Sequence, residues 1–150
     1  PHNDPHIRGS FHAMKTTTDA TNLQYAVIEG VSFGILDGVN SILKVNDNFD
    51  KIFMVGGGSR SSFWIELIAS LLQRNLSVCD QSEYGAALGV ARLAMYVDNN
   101  IKDQNNIIKE IKISKEYKPK IDSIDLLKKR YAIWKDLYSS NKKIASTLLT

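Results

Sequence analysis

A run of three glycines followed by a serine, residues 56–59, is the feature that most restricts how this chain can fold. It separates a short apolar run, Ile52 to Val55, from a segment with helical periodicity, about Ser61 to Gln73. Glycine has no Cβ, so it tolerates positive φ and lets a ligand approach the main chain closely. A helix that starts after such a turn presents free N–H groups and the positive end of its dipole. The pattern predicts a strand, a tight turn and a helix, with room for a nucleotide at the turn.

The glycine run does not spell a phosphate-binding code. It matches neither G-x-G-x-x-G nor G-x-x-x-x-G-K-[ST], the two patterns that cradle pyrophosphate or phosphates. On the local pattern alone, two interpretations are equally good: a turn that contacts a nucleotide, and a strand-to-helix turn that binds nothing.

The rest of the first 98 residues alternates between helical and strand patterns. A long helix is expected from Asp19, with Asp19 or Thr21 as its cap, and a second short strand at Leu76 to Cys79. A third helix is expected from about Glu83 to Val97. Helix, strand, helix, strand, helix is α/β alternation, which predicts a parallel sheet with right-handed crossovers. The side chains expected to face inward are Leu23, Ala26, Val27, Val31, Ile35, Val39 and Ile42 in the first helix and Ala87, Leu88, Ala91, Ala94 and Met95 in the third.

The last third of the chain predicts an arm and a terminal helix. Residues 107–113 partly alternate between apolar and charged side chains, which favours an edge strand. Ile121 to about Leu149 is amphipathic, and its apolar face comprises Ile124, Leu127, Tyr131, Trp134, Leu137 and Tyr138. Two or three short strands cannot cover all these helices. We therefore expect a large apolar face to be left for a partner or for a missing part of the chain.

Glycines recur every fourth residue in two of the expected helices. Gly30, Gly34 and Gly38 lie on one stripe of the first helix, and Gly85 and Gly89 lie on the third. Each costs about 1 kcal/mol of helix propensity relative to alanine. The stripe in the first helix therefore favours close packing against another backbone, such as a sheet at a domain centre.

Composition excludes several classes of protein. The chain is 43% hydrophobic and 23% charged, as in ordinary globular domains, and nothing approaches 18 consecutive apolar residues. A single cysteine, Cys79, rules out an internal disulfide, fits a reducing, cytoplasmic compartment and is interpreted as a core residue. Residues 1–100 carry 7 basic and 10 acidic side chains, whereas residues 101–150 carry 12 and 6. We interpret the basic tail as a solvated helix face rather than as a nucleic-acid site.

No set of residues forms a complete catalytic site in the sequence. His2, His6 and His12 with Asp4 are interpreted as loop residues rather than as a metal site. Two carboxylates in the first helix, Glu29 and Asp37, are interpreted as packing or capping groups. Serines 59, 61 and 62 have no histidine and aspartate partners in sight, so hydrogen bonding and capping are expected of them. We assign no catalytic residue and no metal ligand.

Four segments in order resemble the C-terminal portion of the FGGY carbohydrate kinases, at normal spacing over residues 1 to about 97. They read PHNDPHIRGSF, AVIEGVSFGILDGV, IFMVGGGSRSSFWIELIASLL and EYGAALGVARLA. Within the family they look most like xylulose kinases, because of the opening Pro-His-Asn-Asp-Pro. The tail, with Tyr117-Lys118-Pro119, matches less strongly.

The resemblance implies part of an actin-like ATPase (ribonuclease H-like) kinase domain: an incomplete sheet with helices, followed by a C-terminal helix. It implies ATP and Mg²⁺ as cofactors and a ketose substrate, with D-xylulose converted to D-xylulose 5-phosphate by the intact enzyme. By the same resemblance, Gly57 and Gly58 let the backbone approach adenine and ribose. Gly56 sets the turn, and Ser61 is able to hydrogen-bond the base.

What the family needs and this chain lacks is equally specific. The catalytic aspartate belongs to an N-terminal domain without counterpart here, and both phosphate motifs are absent. We therefore expect the chain to be inactive alone. The start at Pro1 rather than methionine favours a fragment.

The expected organisation has three parts. They are an irregular segment at 1–18, the C-terminal half of the ATP-binding domain at 19–98, and an arm with a terminal helix at 99–150. Two alternatives stay open: a related kinase for ribulose, gluconate or a polyol, and a non-catalytic binding or assembly module with a basic tail. A homo-oligomer is expected, with no membrane partner.

Overall fold

The structure is a computed structural model that describes residues 4–45, 51–98 and 112–148. Four α-helices and three strands are found in these ranges: α1 (Ala20–Leu43), β1 (Phe53–Met54), α2 (Ser62–Leu72), β2 (Leu76–Cys79), α3 (Gly85–Asp98), β3 (Ile113–Tyr117) and α4 (Ile124–Leu148). Short 3-10 turns precede three of the helices, at Gly57–Arg60, Ser82–Tyr84 and Ile121–Ser123. The predicted α/β character is confirmed, as a helix-rich fold with a small sheet.

Helix α1 begins where the sequence predicts. Asp19 accepts a hydrogen bond from the Asn22 backbone N–H at 2.8 Å, and the Asn22 side chain accepts one from the Asp19 N–H at 3.2 Å. This reciprocal capping box satisfies two donors that would otherwise lack partners at the helix start. By length and composition alone, α1 could cross a membrane. Its buried Glu29, paired with Arg130 of α4 at 3.0 Å, instead marks it as a helix packed within the protein.

The sheet is mixed rather than parallel. β1 and β2 pair in parallel, with Phe53 opposite Ser77, but β3 pairs with β2 antiparallel, with Leu76 opposite Tyr117. The expected parallel sheet is therefore correct only for β1 and β2. The third strand follows α3 in the chain and runs opposite to β2. An antiparallel neighbour, unlike a parallel one, does not require a crossover connection. Most of the predicted edge strand at 107–113 lies outside the described residues.

Helix α2 lies at the centre of the core. One side packs on the sheet, where the buried side chains are Ile65, Ile68, Ala69, Leu76 and Tyr117. The other side packs against α1 and α4, where the buried side chains are Phe33, Leu67, Leu71 and Leu127. Tyr131 and Trp134 of α4 stack at 6.0 Å and both contact Phe33. The predicted apolar face of the terminal helix is thus confirmed as the surface that joins α4 to the core.

Two predictions for α1 hold only in part or fail. The helix buries Glu29, Ser32 and Phe33, and Ile35 of the predicted inward face packs against the core, but Val27, Val31 and Ile42 of that face are exposed. Its glycine stripe does not meet another backbone, since an added Cβ on Gly34 or Gly38 would meet nothing within 4 Å in the described residues. α1 has apolar side chains on two sides, and the packing of α2 and α4 selects one of them.

The predicted inward face of α3 is largely uncovered: its three alanines and Met95 are exposed, and only Leu88 is half-buried. Val90, Leu93 and Val97, which lie outside the predicted face, are 66%, 67% and 78% exposed. The helix meets the rest of the fold mainly at its start, where an added Cβ on Gly85 would lie 3.2 Å from Val55 Cβ. This exposed side is the apolar face that the small sheet was expected to leave over.

Candidate functional site

The carboxyl ends of β1 and β2 bring two turns together. The glycine turn, residues 56–60, follows β1, and the Ser82 turn, residues 82–84, follows β2. Since the two strands are parallel neighbours, both turns lie at one edge of the sheet. In open α/β sheets this edge is where ligands bind.

Gly56 holds a conformation that side chains rarely adopt. Its φ is 84° and its ψ is −173°, a region essentially reserved for glycine. Its N–H donates to the Ser82 carbonyl at 2.8 Å, and its carbonyl accepts from the Ser59 N–H at 3.0 Å and the Ser59 hydroxyl at 2.7 Å. The prediction that Gly56 sets the turn therefore has a direct backbone reason.

Gly57 and Gly58 differ in what surrounds them. An added Cβ on Gly57 would meet nothing within 4 Å, so this residue faces open space. An added Cβ on Gly58 would lie 2.7 Å from Cζ3 of Trp64 and 3.1 Å from Cε of Met54. Gly57, like Gly56, therefore has free space beside its Cα, whereas a side chain at Gly58 would collide with the Trp64 ring of α2.

Ser61 caps α2. Its hydroxyl oxygen accepts a hydrogen bond from the Trp64 N–H at 3.3 Å. A hydroxyl that accepts one hydrogen bond still has a proton to donate. Capping and a hydrogen bond to a ligand are therefore compatible at Ser61.

The rim of the site carries opposite charges. Arg60 ends the glycine turn and lies 3.8 Å from the Glu83 carboxylate of the Ser82 turn. Tyr84 and Val55 are more than half exposed beside them. An exposed tyrosine and an aliphatic side chain next to a backbone opening are the kind of surface on which a flat ring can lie.

The other candidate residues serve the fold. Burial raises the pKa of Glu29, against the opposing effects of the Arg130 guanidinium and the Tyr25 hydroxyl. Asp37 accepts a hydrogen bond from the Tyr131 hydroxyl at 2.9 Å. Cys79 is half-buried rather than fully buried, and its burial, with Asp80 nearby, raises the pKa of the thiol.

The N-terminal histidines lie apart from the two turns, as far as the described residues show. His12 Nε2 lies 2.7 Å from the Ser10 hydroxyl and 3.2 Å from Oδ1 of Asn141 on α4. With Asp4, Arg8 and Trp134 it lines a cleft of about 490 Å³ between the N-terminal segment and α4. His2 lies outside the described residues.

Comparison with known proteins identifies the family. Residues 1–97 match the C-terminal domain of the FGGY family of carbohydrate kinases. The chain belongs to this family. The matched range contains the glycine turn, the Ser82 turn and nearly all of α3, so the edge of the sheet described above is family sequence throughout.

Individual FGGY relatives agree with the family match. A xylulose kinase of Staphylococcus epidermidis is 28% identical over the whole chain, and one of Escherichia coli is 26% identical over 92% of it. The crystal structure of a "xyloylose kinase" from Brucella ovis superposes with a TM-score of 0.80 at 29% identity, over 96% of the chain. The chain spans only about 30% of the length of these relatives.

Sequence reasoning missed Ser82 and underrated Trp64. Ser82 is 5% exposed and donates to the Ser59 hydroxyl at 2.8 Å. Because parallel neighbours end at one edge, the polar residues after β2 were candidates for contact with the glycine turn. The helical periodicity of residues 61–73 does not distinguish Trp64 from its apolar neighbours, but its ring limits the size of residue 58.

Proposed function

We propose that this chain is the nucleoside-facing part of an ATP-dependent sugar kinase. The intact FGGY enzyme would transfer the γ-phosphoryl group of Mg·ATP to D-xylulose and form D-xylulose 5-phosphate. The observation that carries the proposal is the open side of Gly57 at the carboxyl edge of two parallel strands, within the family match. The similarity to several xylulose kinases supports the choice of sugar.

Each residue of the glycine turn has a role in this proposal. Gly56 sets the turn, and Gly57 lets adenine and ribose approach the backbone. Ser61 caps α2 with its hydroxyl oxygen and donates a hydrogen bond from the same hydroxyl to adenine. Gly58 contributes through its small size, which lets Trp64 pack over the turn and hold it against α2.

Phosphoryl transfer requires more than a nucleoside wall. Charge on the γ-phosphate must be neutralised, usually by Mg²⁺, and a base must orient the attacking hydroxyl. By the resemblance to the family, the catalytic aspartate and both phosphate motifs belong to parts of the enzyme outside this chain. We therefore propose that Mg²⁺ and the catalytic base are held by the rest of the intact enzyme, and we expect this chain alone to be inactive.

Calorimetric titration of the chain with ATP, ADP and adenosine tests the site. We expect saturable binding of all three, because the nucleoside is their common part. The variant Gly57→Val should weaken all three at least tenfold, since its side chain would fill the opening. Gly38→Val is a matched control, because Gly38 also has nothing within 4 Å of an added Cβ and lies on α1, away from the turn.

Two results would count against this site. One is an equal loss of binding in both variants while circular dichroism shows that both are folded, because the loss would then not be specific to the turn. Unchanged binding in Gly57→Val would mean that the nucleotide binds elsewhere.

The alternative is another sugar or polyol for the same family of enzyme. The residues of this chain face the nucleotide in our proposal and contribute little to the choice of sugar. A substrate panel of D-xylulose, D-ribulose, D-gluconate and glycerol on the full-length protein decides between them by coupled ADP release.

The non-catalytic alternative rests on the basic tail, and several of its cations have partners within the chain. Arg130 pairs with Glu29 and Lys142 with Asp4, while Lys135 lies over the Tyr131 ring. These contacts support a structural role for the tail.

We further propose the following context for the intact enzyme. It has the division into 1–18, 19–98 and 99–150 and an N-terminal domain that this chain does not include. It forms a homo-oligomer, which the uncovered apolar faces favour, and its location is cytoplasmic.

A further inference from the structure

We infer that Ser82 and Ser59 are positioning residues that hold Gly56 in its positive-φ conformation and thereby keep Gly57 open to the nucleotide. The inference rests on the proposed function for its consequence. Its structural part concerns the described residues alone.

The two hydroxyls form a directed chain of hydrogen bonds. Ser82 Oγ donates to Ser59 Oγ at 2.8 Å, and Ser59 Oγ donates to the Gly56 carbonyl at 2.7 Å. Ser82 and Ser59 are 5% and 8% exposed, so water cannot easily replace either partner. A buried hydroxyl group that loses its hydrogen-bond partner costs the fold about the desolvation free energy of that group. Removing either serine side chain should therefore weaken the whole connection.

The backbone closes the same connection from the other side. The Ser82 carbonyl accepts from the Gly56 N–H at 2.8 Å, so one residue of the second turn reaches Gly56 through both its main chain and its side chain. Glycine reaches φ of 84° and ψ of −173° without strain, but it also has many other conformations open to it. The hydrogen bonds from Ser82 and Ser59 select this one.

The position of Gly56 supports a role in binding. Gly56 directly precedes Gly57, and an added Cβ on either residue would meet nothing within 4 Å. A Gly56 that left this conformation would rotate the following peptide and so change which side of Gly57 is open. The hydroxyl chain therefore acts on nucleotide affinity through the backbone, without either serine contacting the ligand.

The experiment combines amide hydrogen exchange with ADP titration on the 150-residue chain. The variants are Ser82→Ala, Ser59→Ala, the double variant and Ser82→Thr, which keeps the hydroxyl. Ser70→Ala is the matched control, because Ser70 is likewise buried, with 2% of its surface exposed. Its hydroxyl donates to the Glu66 carbonyl and accepts from the Lys120 backbone N–H, so it serves α2 rather than the turn.

We expect exchange at the amides of residues 56 and 59, which donate to the Ser82 and Gly56 carbonyls, to rise roughly tenfold in Ser82→Ala and in Ser59→Ala. The double variant should show no more than a small further rise, since the hydroxyls act as one chain. ADP affinity should fall roughly five- to tenfold in the same variants. Ser82→Thr should retain most of both properties. Ser70→Ala should leave both unchanged at these residues.

The two proposals fail in different ways. If the wild-type chain is folded but does not bind ADP, the nucleotide site is removed, and amide exchange alone decides whether the serines hold the turn. If Ser82→Ala leaves the exchange at the Gly56 and Ser59 amides unchanged, the positioning role is overturned, whatever ADP does. Additive effects of the two alanine variants would also contradict a single chain of hydrogen bonds.

Discussion

The indole Nε1–H of Trp64 donates a hydrogen bond of 2.8 Å to the Ser32 hydroxyl, which joins the helix after the glycine turn to α1. Ser32 is 1% exposed, and its hydroxyl donates a hydrogen bond to the Ile28 carbonyl at 2.7 Å. The same Trp64 ring covers the position where a Gly58 side chain would lie. One aromatic residue therefore links the core of the fold to the geometry of the candidate site.

The variant Ser32→Ala should destabilise the chain. It removes the hydrogen-bond acceptor of the Trp64 indole Nε1–H, and an unsatisfied buried donor costs about 1–3 kcal/mol. Chemical denaturation should therefore show a lower midpoint. Ser41→Ala is the matched control, because the Ser41 hydroxyl also donates to the carbonyl four residues earlier but is exposed. Equal losses in the two variants would contradict a special role for the indole contact.

The three glycines of the turn should respond differently to alanine. Gly56→Ala forces a side chain to adopt φ of 84°, at a cost of about 1–3 kcal/mol. Gly58→Ala places Cβ 2.7 Å from the Trp64 ring and should cost about 1–3 kcal/mol through overpacking. Gly57→Ala should range from no effect to a stabilisation of about 1 kcal/mol, since it has free space and removes freedom from the unfolded chain.

Urea unfolding of these three variants measures the order. A Gly57→Ala variant as unstable as Gly58→Ala would show that the side of Gly57 is occupied, and the proposed opening for a nucleotide would be lost.

Glu29 should make the stability of the chain depend on pH. Burial raises its pKa in the folded state, although Arg130 and Tyr25 oppose this. The folded state then binds a proton more tightly than the unfolded state, so stability falls as pH rises from the ordinary carboxyl pKa through the raised one. Below this window the Glu29 carboxyl group is protonated in both the folded and the unfolded state, so it no longer changes the stability with pH.

Glu29→Gln should remove this component, because glutamine does not titrate but still offers an oxygen to Arg130. The measurement is the denaturation midpoint across the acidic range for both proteins. Glu116→Gln, which removes an exposed carboxylate from β3, controls for the change in net charge. A wild-type curve that rises with pH where the Glu29→Gln curve is flat would mean that the pair with Arg130 outweighs burial.

The exposed side of α3 should make the isolated chain self-associate. Val90, Leu93 and Val97 are two-thirds exposed or more and are spaced along one side of the helix. Analytical ultracentrifugation should show mass that rises with concentration, and Leu93→Glu should reduce it. Ile121→Glu is the control, because Ile121 is 80% exposed but lies away from α3. A strictly monomeric, folded wild-type chain would sink this prediction.

The sequence by itself determined the local elements. Asp19 caps α1, Ser61 caps α2, and the glycine run forms the turn between β1 and α2, because capping and positive φ depend on residues close in the chain. The sequence also predicted the buried face of α4, because the apolar side chains of this helix lie on one side and only that side can pack against the core.

Only the tertiary structure decided which faces are covered and which residues meet. α1 and α3 carry apolar side chains on more than one side, and packing covers Phe33 while it leaves Val31 and Leu93 exposed. The antiparallel pairing of β3 and the contact of Ser82 with Ser59 join residues 23 or more positions apart. Such contacts depend on how the helices and strands dock, and the pattern of side chains along any one of them does not contain that information.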